Sequence, residues 1–204
     1  MIGSLRRLKQ NMIKKVEIID DWLDDYSFDQ LKLSLLPDGA NTAPLPWGFG
    51  GKVGGNTEDL KNYQFTYLFY RGYPNFYTDN NYYLVDPIVE KIPDVYQLVR
   101  VKANLQPYSE EKYVSAWHWD SSVGQERDEK NLVTKEGTPI KNAHVAIFYL
   151  NTNNGYTELD DGTKVDSVAN RLLIFPNEMK HRGVSANDTM FKSVVNIVFV
   201  KHII

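Results

Sequence analysis

The sequence predicts a mainly β fold of the α+β class, a sandwich or jelly roll supported by N-terminal helices. Three observations predict it. From Lys112 onward, β-branched and aromatic residues recur in short runs, the composition that strands favour. Turn-forming clusters separate those runs: Asn153-Asn154-Gly155, Asp160-Asp161-Gly162, Ala169-Asn170 and Ala186-Asn187-Asp188. Helical spacing is confined to residues 1–94, so the pattern is not the strand–helix alternation of a parallel βαβ sheet.

The elements follow in order. Residues 15–19 read as a short strand. Ser27-Phe28-Asp29-Gln30 reads as a capping box, in which the serine hydroxyl and the glutamine side chain satisfy helix-end amides reciprocally. Phe28, Leu31 and Leu35 follow at helical spacing, and Pro37 ends the helix. Residues 38–62, rich in Gly, Pro and Asn, read as a long loop around Pro46-Trp47-Gly48-Phe49-Gly50-Gly51. Residues 64–71 predict a strand, 84–91 a helix and 95–105 a strand. Further strands are expected at 113–120, 143–151, 163–168, 171–175 and 191–200. The first two turn clusters imply hairpins. The polar stretch 121–141 begins directly after Asp120; it reads either as a solvated insert or as a lid over a site.

The 204 residues suit a single domain, with 1–94 as a support region and 95–204 as the core. A net charge of −3 argues against a nucleic-acid partner, because phosphate contacts need a basic surface. The absence of cysteine excludes disulfides and zinc–thiolate sites. No apolar run is long enough to span a bilayer, and no apolar segment follows Arg6, Arg7 and Lys9 as a signal peptide would require. A soluble, cytoplasmic protein with no membrane association is expected; the oligomeric state is left open.

The chemistry concentrates in Tyr113-Val114-Ser115-Ala116-Trp117-His118-Trp119-Asp120. In a strand, residues i and i+2 share a face, so His118 and Asp120 would stand side by side. A carboxylate in an aromatic strand is costly unless it is paired or bound to a cation. His181, far downstream, offers a second imidazole. Two nitrogens and one oxygen on one face of a metal, with open positions opposite, is the arrangement non-haem Fe(II) oxygenases use. Trp117 and Trp119 point the other way and read as core packing. Lys192 opens the last strand and is placed to anchor a dicarboxylate, or else is a solvated edge lysine; Arg171 and Arg182 are rival cations. His144 reads as a structural histidine and His202 as exposed. Trp47 and Phe49 read either as a wall beside the substrate or as anchors under the loop.

From about residue 95 to the end, the chain resembles the Fe(II)- and 2-oxoglutarate-dependent oxygenases, specifically the prolyl-4-hydroxylase-like branch. The resemblance rests on His118 and Asp120, Gly155-Tyr156-Thr157-Glu158-Leu159, Asn170-Arg171-Leu172-Leu173-Ile174-Phe175-Pro176, His181 and Lys192, in that order. It departs from the family where Asn154 replaces a common glycine and where Lys192 replaces a common arginine. A lysine cannot form a two-pronged pair, so a further hydroxyl donor is expected: Tyr108, or else Tyr113 or Ser193, with Asn104 as another polar candidate. The resemblance implies a double-stranded β-helix. It also implies Fe(II) held by His118, Asp120 and His181, with 2-oxoglutarate and O2 as co-substrates and ascorbate as an auxiliary reductant. Lys192, Tyr108, Asn104 and Arg171 become candidate co-substrate contacts, and Trp47 and Arg182 candidate substrate contacts. The implied substrate is a peptidyl proline or other protein side chain, with a small metabolite as the alternative. A jelly-roll binding module or a cupin-like metalloenzyme is the competing class; cupin-like sites take more histidines, often as His-x-His, which this chain lacks.

Overall fold

A computed structural model describes residues 16–37, 45–50, 63–72, 75–124, 126–127, 133–135 and 137–202. The basic residues near position 6, most of the 38–62 loop and the start of the first expected strand lie outside them. The described chain opens with strand β1 (Glu17–Ile19) and helix α1 (Asp25–Leu35). The helix starts earlier than the capping box implied. Asp24 is the N-cap, and its carboxylate accepts from Ser27 N at 3.0 Å and Ser27 Oγ at 2.7 Å. A charged acceptor at the positive helix end outcompetes a hydroxyl. Phe28, Leu31 and Leu35 are buried as their spacing predicts.

Strands β2 (Gly48–Gly50), β3 (Gln64–Arg71) and β4 (Tyr77–Thr78) follow. The helix expected at 84–91 is instead a 3-10 turn, Asn80–Leu84, and a single α turn, α2 (Asp86–Val89). Strand β5 (Val95–Pro107) is longer than expected. The stretch 121–141 contains regular structure among its described residues. It holds β6 (Ser122–Val123) paired with β9 (Thr138–Pro139), and β7 (Glu126–Arg127) paired with β8 (Val133–Lys135). Asn177 fastens its base, accepting from Ser121 N at 3.2 Å and donating to Ser121 O at 2.7 Å. The remaining strands are β10 (Ala143–Tyr149), β11 (Tyr156–Leu159), β12 (Lys164–Asp166), β13 (Leu172–Pro176), β14 (His181–Val184) and β15 (Phe191–Lys201).

The fold is a jelly roll. A large antiparallel sheet runs β1-β13-β10-β15-β5-β3-β2, with β4 added beside β3, and a small sheet runs β12-β11-β14. Of the two expected hairpins one forms: β11 and β12 turn at Asp160-Asp161-Gly162, with Gly162 at φ +89°. The Asn153-Asn154-Gly155 cluster instead carries the chain from β10 in the large sheet to β11 in the small one. Alternation along each strand splits the core in two. Val101, Ala103, Ala146, Phe148, Val195 and Ile197 pack outward against α1 and α2, with Phe28, Leu31 and Ile88. Val145, Ile147, Tyr149, Leu173, Phe175 and Val198 pack inward, between the sheets, with Leu159 and Val165. The inward layer carries the site.

Candidate metal centre

Residues 113–120 are not a full strand. The segment runs extended beside β14 and touches it through two isolated bridges, Val114 with Val184 and His118 with His181. Paired main-chain bonds of 3.0 Å join His118 and His181 in both directions. This pairing places the two imidazoles side by side, with ring centroids 4.4 Å apart. Asp120 joins them, and the ligand atoms of His118, Asp120 and His181 all lie within 4.8 Å of one another.

Each donor is prepared by its neighbours. His118 Nδ1 lies 2.8 Å from Ala116 O, which fixes the proton on Nδ1 and leaves Nε2 as the free lone pair. The His181 ring packs against Phe175 at 5.1 Å. Burial, with the neighbouring His118 adding, holds the His181 imidazole down to about 3, so it is neutral near pH 7 and able to coordinate. The 3.9 Å approach of His181 Nε2 to Asp120 Oδ2 is therefore not an ion pair near pH 7. For Asp120, burial opposes ionisation, but Arg100 and then His181, His118 and Lys102 overcome it and hold the carboxyl well below its usual range. Arg100 Nη2 stands 2.9 Å from Asp120 Oδ1 without hydrogen-bond alignment, so the contact acts through charge. Asp120 Oδ2 is buried and has no hydrogen-bond partner among the described residues. An ionised, unpartnered carboxylate oxygen beside two imidazole nitrogens is a donor set that fits a divalent cation.

No protein-family model matches this sequence, and no curated protein matches it by sequence. Its structure does match solved ones. A Pseudomonas putida prolyl-4-hydroxylase superposes with TM-score 0.52 at 14% identity, covering 93% of this chain and 94% of the other. A Trichoplax adhaerens prolyl hydroxylase, solved with a hypoxia-inducible-factor peptide fragment, gives 0.53 at 13%, covering 97% and 87%. A Burkholderia pseudomallei oxidoreductase of the 2OG-Fe(II) oxygenase family gives 0.54 at 8%, covering 92% and 86%. The fold is shared with these solved enzymes.

Within this oxygenase fold, the other sequence-predicted residues divide. Lys192 is buried, but its Nζ donates to Tyr156 O at 2.9 Å and Val184 O at 2.8 Å, main-chain acceptors of the small sheet. Asn104 lies on the inward face of β5, its Oδ1 buried and without a hydrogen-bond partner. Arg171 is elsewhere: its Nε and Nη2 grip the Asp20 carboxylate at 2.5 and 3.0 Å. Arg182 alternates with His181 and so faces outward, where it pairs with Glu158 at 2.8 Å and covers Trp117. Trp47 packs against the helix-side core. Tyr108 is exposed and lines a surface cleft of about 440 Å³ with Tyr63, Glu110, Glu111 and Tyr113. Ser193 Oγ donates to Asn104 O at 3.1 Å, from the face opposite Lys192.

Trp117 and Trp119 are half-buried rather than core: Arg182 stands 4.5 Å over one ring and Lys180 stands 4.6 Å over the other. Cations cap both indoles on the outer surface. His144 stacks on Phe199, and His202 sits exposed against Tyr96. Sequence reasoning missed Arg100, Lys102 and Asn196. Their signal was the alternation Arg100-x-Lys102-x-Asn104 on a strand whose other residues, Val101, Ala103 and Leu105, are apolar. That pattern ordinarily marks a solvated strand face. Here the polar face looks inward.

Proposed function

We propose that this protein is an Fe(II)- and 2-oxoglutarate-dependent dioxygenase. The observation that carries the reading is Asp120 Oδ2, ionised, buried and unpartnered between two imidazoles. His118, Asp120 and His181 would hold the iron. When bound, iron with 2-oxoglutarate and O2 would supply the oxidation that converts an unreactive C–H bond to C–OH, releasing succinate and CO2. The chain's own residues prepare that step. Arg100 keeps Asp120 charged, Ala116 O orients His118, and Phe175 fixes the His181 ring. Val145, Ile147 and Val198 pack in the inward layer, an apolar setting that would keep water from the reacting centre. Lys192 is the residue expected to take the far carboxylate of the co-substrate, with two of its three donors turned to main-chain carbonyls.

A peptidyl proline or another protein side chain is the favoured substrate class. The peptide bound by the Trichoplax adhaerens neighbour supports it by analogy of fold. The test is succinate release with a panel of proline-containing peptides against small carboxylic acids. Release that depends on His181 and is stimulated by a peptide supports this reading. Stimulation by a small acid alone would replace the substrate class and leave the chemistry.

A further inference from the structure

The main chain around Asp120 is fixed on both sides. Two residues before it, His118 exchanges paired main-chain bonds of 3.0 Å with His181. One residue after it, Asn177 holds Ser121 N at 3.2 Å and Ser121 O at 2.7 Å. A fixed main chain does not by itself aim a carboxylate. The last torsion of an aspartate side chain is broad and roughly two-fold, so a partner from another element must set the plane of its oxygens. At Asp120 that partner is Arg100 of β5. Its Nη2 stands 2.9 Å from Oδ1, whereas Oδ2 lies 3.9 Å from His181 Nε2 with no hydrogen-bond partner among the described residues. One oxygen faces the guanidinium and the other faces the imidazole.

Arg100 is driven to this place by its surroundings. Its cross-strand neighbour on β3 is Arg71, and Lys102 follows two residues along β5, on the same face. Both neighbours are cations, and Lys102 and Arg100 repel each other. The Asp120 side chain is 7% exposed and that of Arg100 24%, so water screens their attraction only partly. Arg100 Nε and Nη2 are buried without a hydrogen-bond partner among the described residues, so the charge of Asp120 is what draws the guanidinium in.

The consequence lies in the number of donor atoms. Both oxygens of a carboxylate can reach one cation, and a two-pronged carboxylate takes one position more than a one-pronged one. A site of two imidazoles and a carboxylate keeps its full set of open positions only if the carboxylate gives a single oxygen. We propose that Arg100 is a positioning residue of the metal centre: by holding Asp120 Oδ1 it limits the carboxylate to one metal-facing oxygen and preserves a coordination position for an incoming ligand. This role rests on the metal centre of the reading above and not on its oxygen chemistry.

Mn(II) is the probe, because its unpaired electrons report bound water without turnover. The full chain is loaded with Mn(II), binding is read from the magnetic resonance signal of the free ion, and bound water is counted by electron–nuclear double resonance in isotopically labelled water. Arg100→Met removes the charge and keeps a long stem. It still binds Mn(II) but holds about one bound water fewer than wild type, because the second Asp120 oxygen takes that position. Arg100→Lys returns the charge and restores the wild-type count. A side chain that served only packing would not separate methionine from lysine in this way. Arg100→Gln takes the place of Arg100→Met, with the same expectation, if circular dichroism shows that the latter does not fold. An unchanged water count in the neutral variant, or a reduced count that Arg100→Lys does not restore, overturns the proposal. Loss of Mn(II) binding in the neutral variant overturns it as well, since Arg100 would then charge Asp120 without aiming it. If wild type binds no Mn(II), the metal centre falls and this role with it. If the water counts change as stated but wild type forms no iron–2-oxoglutarate complex, the role of Arg100 stands and the oxygenase reading falls.

Discussion

Asp120 is ionised in a place where burial alone would neutralise it, and Arg100 makes the difference. Asp120→Asn keeps the shape and removes the charge, so the donor set loses its anion. Fe(II) affinity then falls by about 100-fold or more, read by competition with a chelator. His118→Ala and His181→Ala each leave two donors and lower iron affinity similarly. Full turnover in any of the three would remove that residue from the ligand set. The triad was legible in the sequence because a His-x-Asp pair in an aromatic segment makes a costly charge that asks for a cation. Arg100 and Lys102 were not legible, because sequence alternation shows that one face of β5 is polar but not that a second sheet covers that face.

At the scale of elements, a single asparagine fastens the N-terminal segment. Asn170 adopts φ +63°, accepts from Leu23 N at 2.9 Å and donates to Leu23 O at 2.8 Å. Its carbonyl also accepts from Trp22 N at 2.9 Å. Asn170→Ala loses two buried hydrogen bonds and the side chain best suited to that backbone. It costs about 2–4 kcal/mol in denaturant unfolding, while the folded fraction keeps its metal affinity. The strands of the inward core were legible by composition, and Gln64–Arg71 falls on the residues expected. The helix cap and one hairpin were not. Both Asp24 and Ser27 are good caps, and local chemistry does not rank them; charge at the helix end does. Asn153-Asn154-Gly155 has turn chemistry, but a turn can join two sheets as readily as two paired strands, and only the pairing of β10 with β13 and β15 decides.

Across the whole molecule, Lys192 ties the large sheet to the small one through two carbonyls. Burial, with Lys112 adding, lowers it from 10.5 to about 7. Below about 7 both folded and unfolded chains carry the proton, and the penalty of burying the charge is fully present. Between about 7 and 10.5 the unfolded chain binds more protons, so wild-type stability rises with pH across that window. Lys192→Met lacks this rise, so the wild type gains on it by a few kcal/mol over the window in urea unfolding. A constant gap between the two would remove the buried, shifted lysine from the account. Metal acts on the whole fold as well: Fe(II) or Mn(II) at about 100 times its Kd raises stability by about 2.7 kcal/mol, and a chelator reverses it. In Asp120→Asn, the same ion concentration raises stability by only about 0.4 kcal/mol or less.

The oxygenase reading is tested most directly by anaerobic addition of Fe(II), then 2-oxoglutarate, to metal-free protein, followed by visible absorption. A weak charge-transfer band develops only when both are present and is lost in His181→Ala. Iron binding with no band on adding 2-oxoglutarate would contradict the oxygenase chemistry. Failure to bind iron at all would contradict the metal centre itself.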